Sequence, residues 1–317
     1  MVSVNKKIGA YIGMFFVVFV WGVAPLLMVH LNKVYSPVLR TCFIEALLLV
    51  TYLLISGKNI KKFNMDYLKI GIPTGIFLAL ANLTQKIGLL YTTPSRYAFL
   101  ENLSCVSVPV LMYILVKKKP STTTIIASVI CLVSAFVLNG VSFSGGSWGI
   151  GEILCAASGI LYGFNIAGTS VYAKKLYTPL YLATQSIMGF SISLILTFIL
   201  NNTYITTSSG LSVPVEKIMF SFKPSDIILL VLCVLVINAF CWIIRTYSMK
   251  YIDACVVAII MPFSAVITSV LSVVTGNDTL NFNLVVGGIL GLVAIFLSGI
   301  EDGFSKKAKS EEINEIR

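Results

Sequence analysis

Charged side chains are scarce in this sequence of 317 residues. It contains 23 Lys and Arg and 13 Asp and Glu, so 11% of its residues are charged, against about 25% in an average soluble domain. Hydrophobic residues reach 57%, and the mean hydropathy is +0.93. So few charges cannot cover a surface that faces water. The composition excludes a soluble enzyme, a disordered scaffold and a nucleic-acid-binding protein, and it indicates a polytopic helical membrane protein.

The residues that carry common enzymatic and metal chemistry are also scarce. His30 is the only histidine, which excludes a His-rich metal site. The seven cysteines all fall inside hydrophobic runs and form no CxxC pair, as expected for small packing residues. A GxSxG match at 145–149 lies in a predicted loop, without the strand and the histidine base that a nucleophile elbow needs. The sequence therefore predicts no enzyme, no cofactor and no resident metal.

Long hydrophobic runs dominate what is present. A helix needs about 20 mainly apolar residues to cross the hydrocarbon core. Ten runs meet this requirement, and they cover residues 8–29, 34–56, 67–91, 95–117, 122–140, 148–171, 178–200, 226–249, 252–274 and 281–299. We number these spans one to ten. They predict an all-α membrane protein with ten transmembrane helices.

The distribution of basic residues predicts the orientation. With the N-terminus in the cytoplasm, most of the 23 Lys and Arg fall on the cytoplasmic side, as the positive-inside rule requires. This assignment counts Arg245 among the cytoplasmic residues. We therefore expect a multi-pass plasma-membrane protein with both termini in the cytoplasm. Its basic excess would face anionic lipid and needs no nucleic-acid partner.

The ten spans indicate an internal repeat of five. Short motifs recur in the same order in both halves, at residues 20–24 and 161–165, 36–37 and 178–179, and 135–140 and 294–299. Because five is odd, the second copy starts from the opposite side of the membrane, which makes the halves inverted repeats. We predict a first repeat over 1–147, a second over 148–303 and a cytoplasmic tail over 304–317.

Several stretches resemble the EamA-like permeases of the drug/metabolite transporter superfamily. The sharpest is GLLYTTPSRYAFL at 88–100; the others are Trp21-Gly22, the Ser36-Pro37 pair with Arg40, and residues 151–154 and 250–254. The sequence departs from the family in the ninth span, where the proline is Pro262 instead of a residue near 265. The resemblance implies secondary transport, usually export of amino acids or other small metabolites, and a cavity lined by spans 1, 3, 4, 6, 8 and 9.

Ionisable residues inside the spans are the first candidates for function, because a charge in the bilayer is costly. Glu45 and Glu101 are candidate proton-coupling carboxylates; a structural ion pair or a neutral, hydrogen-bonded acid is the alternative. Arg40 is a candidate to hold a substrate carboxylate, or it snorkels to the interface. Arg40 and Glu45 are five residues apart, about 140° around a helix, and so are Arg96 and Glu101. Their partners must therefore come from other helices or from water.

Uncharged polar and aromatic residues complete the candidate lining. Amides can bind a zwitterionic substrate because they both donate and accept hydrogen bonds, and aromatic rings can stack on it. These candidates are Asn82, Gln85, Asn102, Asn165, Asn238, Trp21, Tyr97 and Tyr162. Hydrogen bonding between helices and core packing are the alternatives. Glu152 and Lys86 lie close to span ends, where we expect solvation at the interface.

The sequence thus predicts a secondary transporter of small organic metabolites, either amino acids or drug-like compounds, that works by alternating access in the export direction. Its partners are a small-molecule substrate, the lipid bilayer and, as candidate coupling ions, protons. GxxxG pairs are expected to pack within the bundle, which favours a monomer over a dimer. The alternative is a non-transporting membrane sensor or assembly subunit built on the same scaffold.

Overall fold

The computed structural model describes residues 4–28, 31–92, 94–117, 119–138, 149–206, 212–274 and 282–315. It confirms the all-α prediction. Within these residues, nine helices are long and apolar enough to cross a membrane, and a tenth apolar helix, Thr122–Leu138, has 17 residues. Large apolar side chains such as Leu54, Phe198 and Phe296 are exposed on the outer faces of the helices, as expected where helices meet lipid.

The helices follow the ten predicted spans closely. In chain order they are α1 (Val4–Met28), α2 (Leu31–Val34), α3 (Pro37–Ser56), α4 (Met65–Leu89), α5 (Pro94–Glu101), α6 (Ser104–Val116), α7 (Thr122–Leu138), α8 (Ile150–Tyr172), α9 (Thr178–Leu200), α10 (Pro224–Cys233), α11 (Cys241–Ser248), α12 (Ala254–Ile260), α13 (Phe263–Val274) and α14 (Phe282–Glu315). Span 4 comprises α5 and α6, and span 9 comprises α12 and α13. Span 8 comprises α10, a π-helical segment (Val234–Phe240) and α11. Short 3-10 turns cover Gly57–Lys62 and Ala173–Lys175.

The final helix is longer than the sequence predicts. The apolar run ends near residue 299, but α14 continues to Glu315. Its last part is rich in Lys and Glu, which have high helix propensity. A polar segment that directly follows a membrane helix can therefore continue it without an apolar face.

A small β-hairpin lies between spans 7 and 8, where the sequence predicts only a loop. Its strands β1 (Tyr204–Thr206) and β2 (Ser212–Pro214) pair antiparallel. Just after β2, the fully buried Glu216 reaches the start of span 2, where its carboxylate accepts hydrogen bonds from the backbone N–H groups of Val38 (3.0 Å) and Leu39 (3.1 Å). The first N–H groups of a helix have no partner within the helix. Glu216 therefore caps span 2 from a distant part of the chain.

The packing of the spans reflects the repeat. Span 2 packs on span 7, span 5 on span 10, and span 4 on span 9. Spans 3 and 4 pack on span 6, just as spans 8 and 9 pack on span 1. Exchanging each span of one half for its counterpart in the other half reproduces this set of contacts. The arrangement is therefore that of two related five-helix units.

Glycines at equivalent positions support the same relation. A Cβ on Gly22 of span 1 would lie 2.7 Å from the Ile267 side chain of span 9. A Cβ on Gly163, its counterpart in span 6, would lie 2.2 Å from Ser107 Oγ of span 4. At both positions a span of the other repeat approaches the glycine closely.

Spans 4 and 9 are both interrupted. The two breaks are 159 residues apart in the sequence, as are the recurring motifs at 135–140 and 294–299. Span 4 breaks at Asn102 and Leu103, and span 9 breaks at Met261 and Pro262. At both breaks, backbone N–H groups donate to the carbonyl three residues back instead of four, as in a 3-10 turn. One example is the hydrogen bond from the Leu103 N–H to the Leu100 carbonyl. The break in span 9 thus coincides with Pro262, the position where the sequence departs from the family pattern.

Candidate functional site

Five of the predicted site residues form one hydrogen-bonded group, which we call the central polar cluster: Asn82, Gln85, Tyr97, Glu101 and Tyr162. Gln85 Nε2 donates to a Glu101 carboxylate oxygen at 2.6 Å and to the Tyr97 hydroxyl at 2.8 Å. The Tyr162 hydroxyl lies 2.8 Å from Asn82 Oδ1 and 2.9 Å from Gln85 Oε1, so both carbonyl oxygens share its proton. The Gln85 amide therefore links the carboxylate to the second repeat.

Helix geometry explains why these side chains converge. Asn82 and Gln85 are three residues apart on span 3, and Tyr97 and Glu101 are four apart on span 4, so each pair shares a face of its helix. Tyr162 faces them from span 6. All five are half-buried within the predicted spans. They therefore face a space between the spans and not a close-packed interior.

The break in span 4 lies directly beside this cluster. Glu101 is the last residue of α5, and the backbone of span 6 approaches the break closely at Gly159. A Cβ on Gly159 would lie 2.5 Å from the Leu100 carbonyl oxygen and 2.9 Å from that of Glu101. The position of the carboxylate is therefore set by contact between the two repeats.

A second polar group surrounds Glu45 in the middle of span 2. Glu45 is buried against span 7, where a Cβ on Gly189 would lie 2.6 Å from the Glu45 carboxyl carbon. Its carboxylate interacts with Ser186 and electrostatically with Lys86 of span 3. Lys86 Nζ donates to Thr41 Oγ1 at 2.7 Å. Lys86 is therefore half-buried and held against span 2, which differs from the predicted solvation at an interface.

Arg40 and Arg96 lie near the span ends and interact with residues outside their own helices. Arg40 interacts electrostatically with Glu216 beyond the β-hairpin. Arg96 Nη1 lies 2.9 Å from Glu152 Oε1 of span 6. Arg96 thus has a partner on another helix, as the sequence predicts.

Glu152 is buried, and the prediction that it is solvated at the interface is wrong. It is 4% exposed. Besides Arg96, it accepts hydrogen bonds from the Thr92 hydroxyl and from the Gly149 N–H, both at 2.9 Å. The side chain folds back over the first turn of span 6 to cap it, which removes the carboxylate from solvent.

Four other candidates hydrogen-bond to helix carbonyls and do not join the central polar cluster. Asn102 donates to Ala98 O at 2.9 Å, and Asn238 donates to Cys233 O at 3.4 Å, each within its own span. Asn165 donates across to Thr74 O of span 3 at 3.1 Å. Trp21 Nε1 donates to Ile237 O in the π-helical segment at 2.9 Å. For these four, a role in substrate binding stays a prediction.

Sequence reasoning missed Arg245, which it placed on the cytoplasmic side. The structure buries Arg245 within span 8, at 1% exposure. Its guanidinium lies 4.6 Å from the centroid of the Trp242 ring, and Trp242 packs on Trp21 of span 1 at 5.4 Å between centroids. The signal for this position is the spacing of Trp242 and Arg245. Residues three apart share a helix face, and an arginine stacks readily on an aromatic ring.

Comparison with known proteins identifies the repeat. The model of the EamA-like transporter family matches the chain twice, over residues 8–140 and 149–300. Among curated proteins, no sequence match reaches significance. One solved crystal structure aligns with 92% of this chain and 97% of its own, with a TM-score of 0.72 at 13% identity, a similarity that shows the fold alone. The two family matches cover nearly the whole sequence, and the chain therefore belongs to the EamA-like transporter family.

Proposed function

We propose that this membrane transporter is a secondary transporter that exports small organic metabolites, either amino acids or drug-like compounds, across the plasma membrane by alternating access. The family gives transport of the drug/metabolite transporter type. The observation that carries the finer proposal is the central polar cluster, which places a carboxylate and two amides between spans 3, 4 and 6. Polar side chains at such a depth are costly unless they serve a polar ligand or an ion.

The cluster draws on both repeats, and this supports alternating access. Gln85 and Glu101 belong to the first repeat, and Tyr162 belongs to the second. A substrate bound among them would contact both units, so movement of one repeat against the other would change its contacts. Inverted repeats suit this mechanism because exchanging the conformations of the two units opens the site to the opposite side.

Glu101 is the residue that we expect to couple transport to protons. The groups that face it are neutral: Gln85 of span 3, Tyr97 of its own span, and Tyr162 and Cys155 of span 6. An ionised Glu101 accepts from the Gln85 amide. A protonated Glu101 can donate to the Gln85 carbonyl oxygen once the Gln85 amide turns over, and this turn takes that oxygen away from Tyr162. Loading a proton would therefore alter the contact between the repeats.

Flux in proteoliposomes with and without a pH gradient tests this proposal. We expect the pH gradient to accelerate flux of an amino-acid substrate through the wild-type protein, and Glu101→Gln to abolish that acceleration, because the amide cannot bind the transported proton. Glu45→Gln tests the second buried carboxylate in the same assay. Asp66→Asn, at an exposed acid in the first turn of span 3, is the control and should behave as wild type.

Two outcomes would contradict the proposal at different levels. Gradient-driven flux that persists in both the Glu101 and Glu45 variants would exclude proton coupling through these carboxylates. No flux of any amino acid or drug-like compound in a folded wild-type protein would favour the non-transporting alternative.

A further inference from the structure

Arg245 is a buried cation without a counter-ion in the part of the chain that the structure describes. It is 1% exposed, and its Nε atom is buried without a hydrogen-bond partner. Its guanidinium forms no ion pair or hydrogen bond with any described residue. By contrast, Arg96 pairs with Glu152, and Arg40 interacts with Glu216. Arg245 therefore differs from the other two arginines within or beside the spans.

The surroundings of Arg245 are aromatic and neutral. The guanidinium lies over the Trp242 ring, which supports the cation from one face. Tyr162 and Tyr181 are its electrostatic neighbours. The Tyr181 hydroxyl is engaged with Thr74 and with other hydroxyl and amide groups. None of these groups supplies the negative charge that a buried guanidinium needs.

The position of Arg245 connects it to the central polar cluster. Tyr162 interacts electrostatically with both Arg245 and Glu101. Trp242 of span 8 packs on Trp21 of span 1, so Arg245 also lies beside a contact between the two repeats. Arg245 therefore lies beside Tyr162, a member of the central polar cluster.

We propose that Arg245, supported by Trp242, is the subsite for a carboxylate group of the transported molecule. Guanidinium presents two parallel N–H groups that match the two oxygens of a carboxylate. Trp242 supports the guanidinium from one face, and the Nε atom has no hydrogen-bond partner among the described residues. The missing counter-ion is then supplied by the substrate, and the site accordingly selects acids over amines. This inference rests on the proposed function, since it assigns one group of the substrate.

The binding of acetate to purified full-length protein tests the subsite without requiring transport. Acetate is the smallest organic carboxylate, so it can occupy a carboxylate subsite whatever the rest of the substrate is. In a Trp148→Phe background, Trp21 and Trp242 are the only remaining tryptophans, and their fluorescence reports on the stack beside Arg245. We expect a saturable change with acetate and none with acetamide, its neutral isostere.

Variants of Arg245 separate this subsite from other anion effects. Arg245→Met should weaken acetate binding at least tenfold. Arg245→Lys keeps the charge but loses the paired N–H groups, and should weaken it by a smaller factor. Lys69→Gln, which removes one positive charge from an exposed position on span 3, should bind as wild type does. Elution as a single folded species in size-exclusion chromatography confirms that each variant is intact.

Three results would overturn the proposal: no saturable response to acetate in the parent protein, an unchanged response in Arg245→Met, or an equal response to chloride. The last result would indicate an inorganic-anion site. Because the readout is binding, these failures are distinct from failure of the proposed function, which would appear as absent flux. Acetate binding that depends on Arg245 would support the subsite even in a preparation that shows no flux.

Discussion

Two charged side chains within the spans, Arg96 and Lys86, contact residues of other helices. Arg96 pairs with Glu152 of span 6, and Lys86 bonds Thr41 of span 2 and interacts with Glu45. The five-residue spacing argues against Glu45 as the partner of Arg40 and against Glu101 as the partner of Arg96. It cannot name the actual partners, because these depend on how the helices rotate against one another. Side chains such as Glu152 and Lys86 therefore look interfacial in the sequence although they make buried contacts.

Glu216 gives a prediction at the scale of a single residue. Glu216→Ala removes the acceptor for the N–H groups of Val38 and Leu39 at the start of span 2. Leaving buried donors unsatisfied costs about 1–3 kcal/mol, so we expect a lower Tm in thermal unfolding followed by tryptophan fluorescence. Glu216→Gln retains an acceptor oxygen and should lose less. Unfolding of the Ala variant at the wild-type Tm would show that this cap contributes nothing.

At the scale of helices, the breaks in spans 4 and 9 show that proline alone does not mark a break. Span 9 breaks at Pro262, but span 4 breaks at Asn102 and Leu103, and Pro109 lies inside α6. What accompanies the break in span 4 is the close approach of span 6 at Gly159. This contact is tertiary, so the sequence of span 4 does not reveal it.

Substitution of Gly159 tests the close contact between span 6 and the break in span 4. In Gly159→Ala, the new methyl group would lie 2.5 Å from the Leu100 carbonyl oxygen, and overpacking of this kind costs about 1–3 kcal/mol. We expect a lower Tm together with reduced flux, because Glu101 lies on the same turn. Gly9→Ala is the matched control, since nothing lies within 4 Å of the added methyl group. Equal Tm values for the two variants would contradict the proposed close contact.

At the scale of the whole molecule, much of the fold could be predicted from the sequence. The ten apolar runs predict the spans because a helix must be long and apolar enough to cross the bilayer. The recurring motifs predict the repeat because duplicated halves keep similar residues in the same order. The extension of α14 to Glu315 and the β-hairpin could not be predicted in this way. Polar segments outside the spans lack the length and hydropathy constraints that make spans recognisable.

The site was predictable in part. Asn82, Gln85, Tyr97, Glu101 and Tyr162 were all candidates on the basis of residue type and span, and the structure brings them together. Asn102 and Asn238 have the same chemistry, but their amides bond to carbonyls of their own spans. Whether an amide joins the central polar cluster or bonds to a carbonyl of its own span depends on its rotamer and its neighbours. Arg245 was missed because a basic residue near a span end is indistinguishable in the sequence from a loop residue.

The central claim is that the two repeats enclose a wettable chamber at the central polar cluster, and cysteine accessibility tests it most directly. Asn82→Cys and Tyr162→Cys, made in a background without the seven native cysteines, would be treated with a charged thiol reagent from either side of the membrane. The control is Ser158→Cys, a fully buried position on span 6. We predict labelling at 82 and 162 but not at 158. Failure of both positions to react from either side would contradict the account.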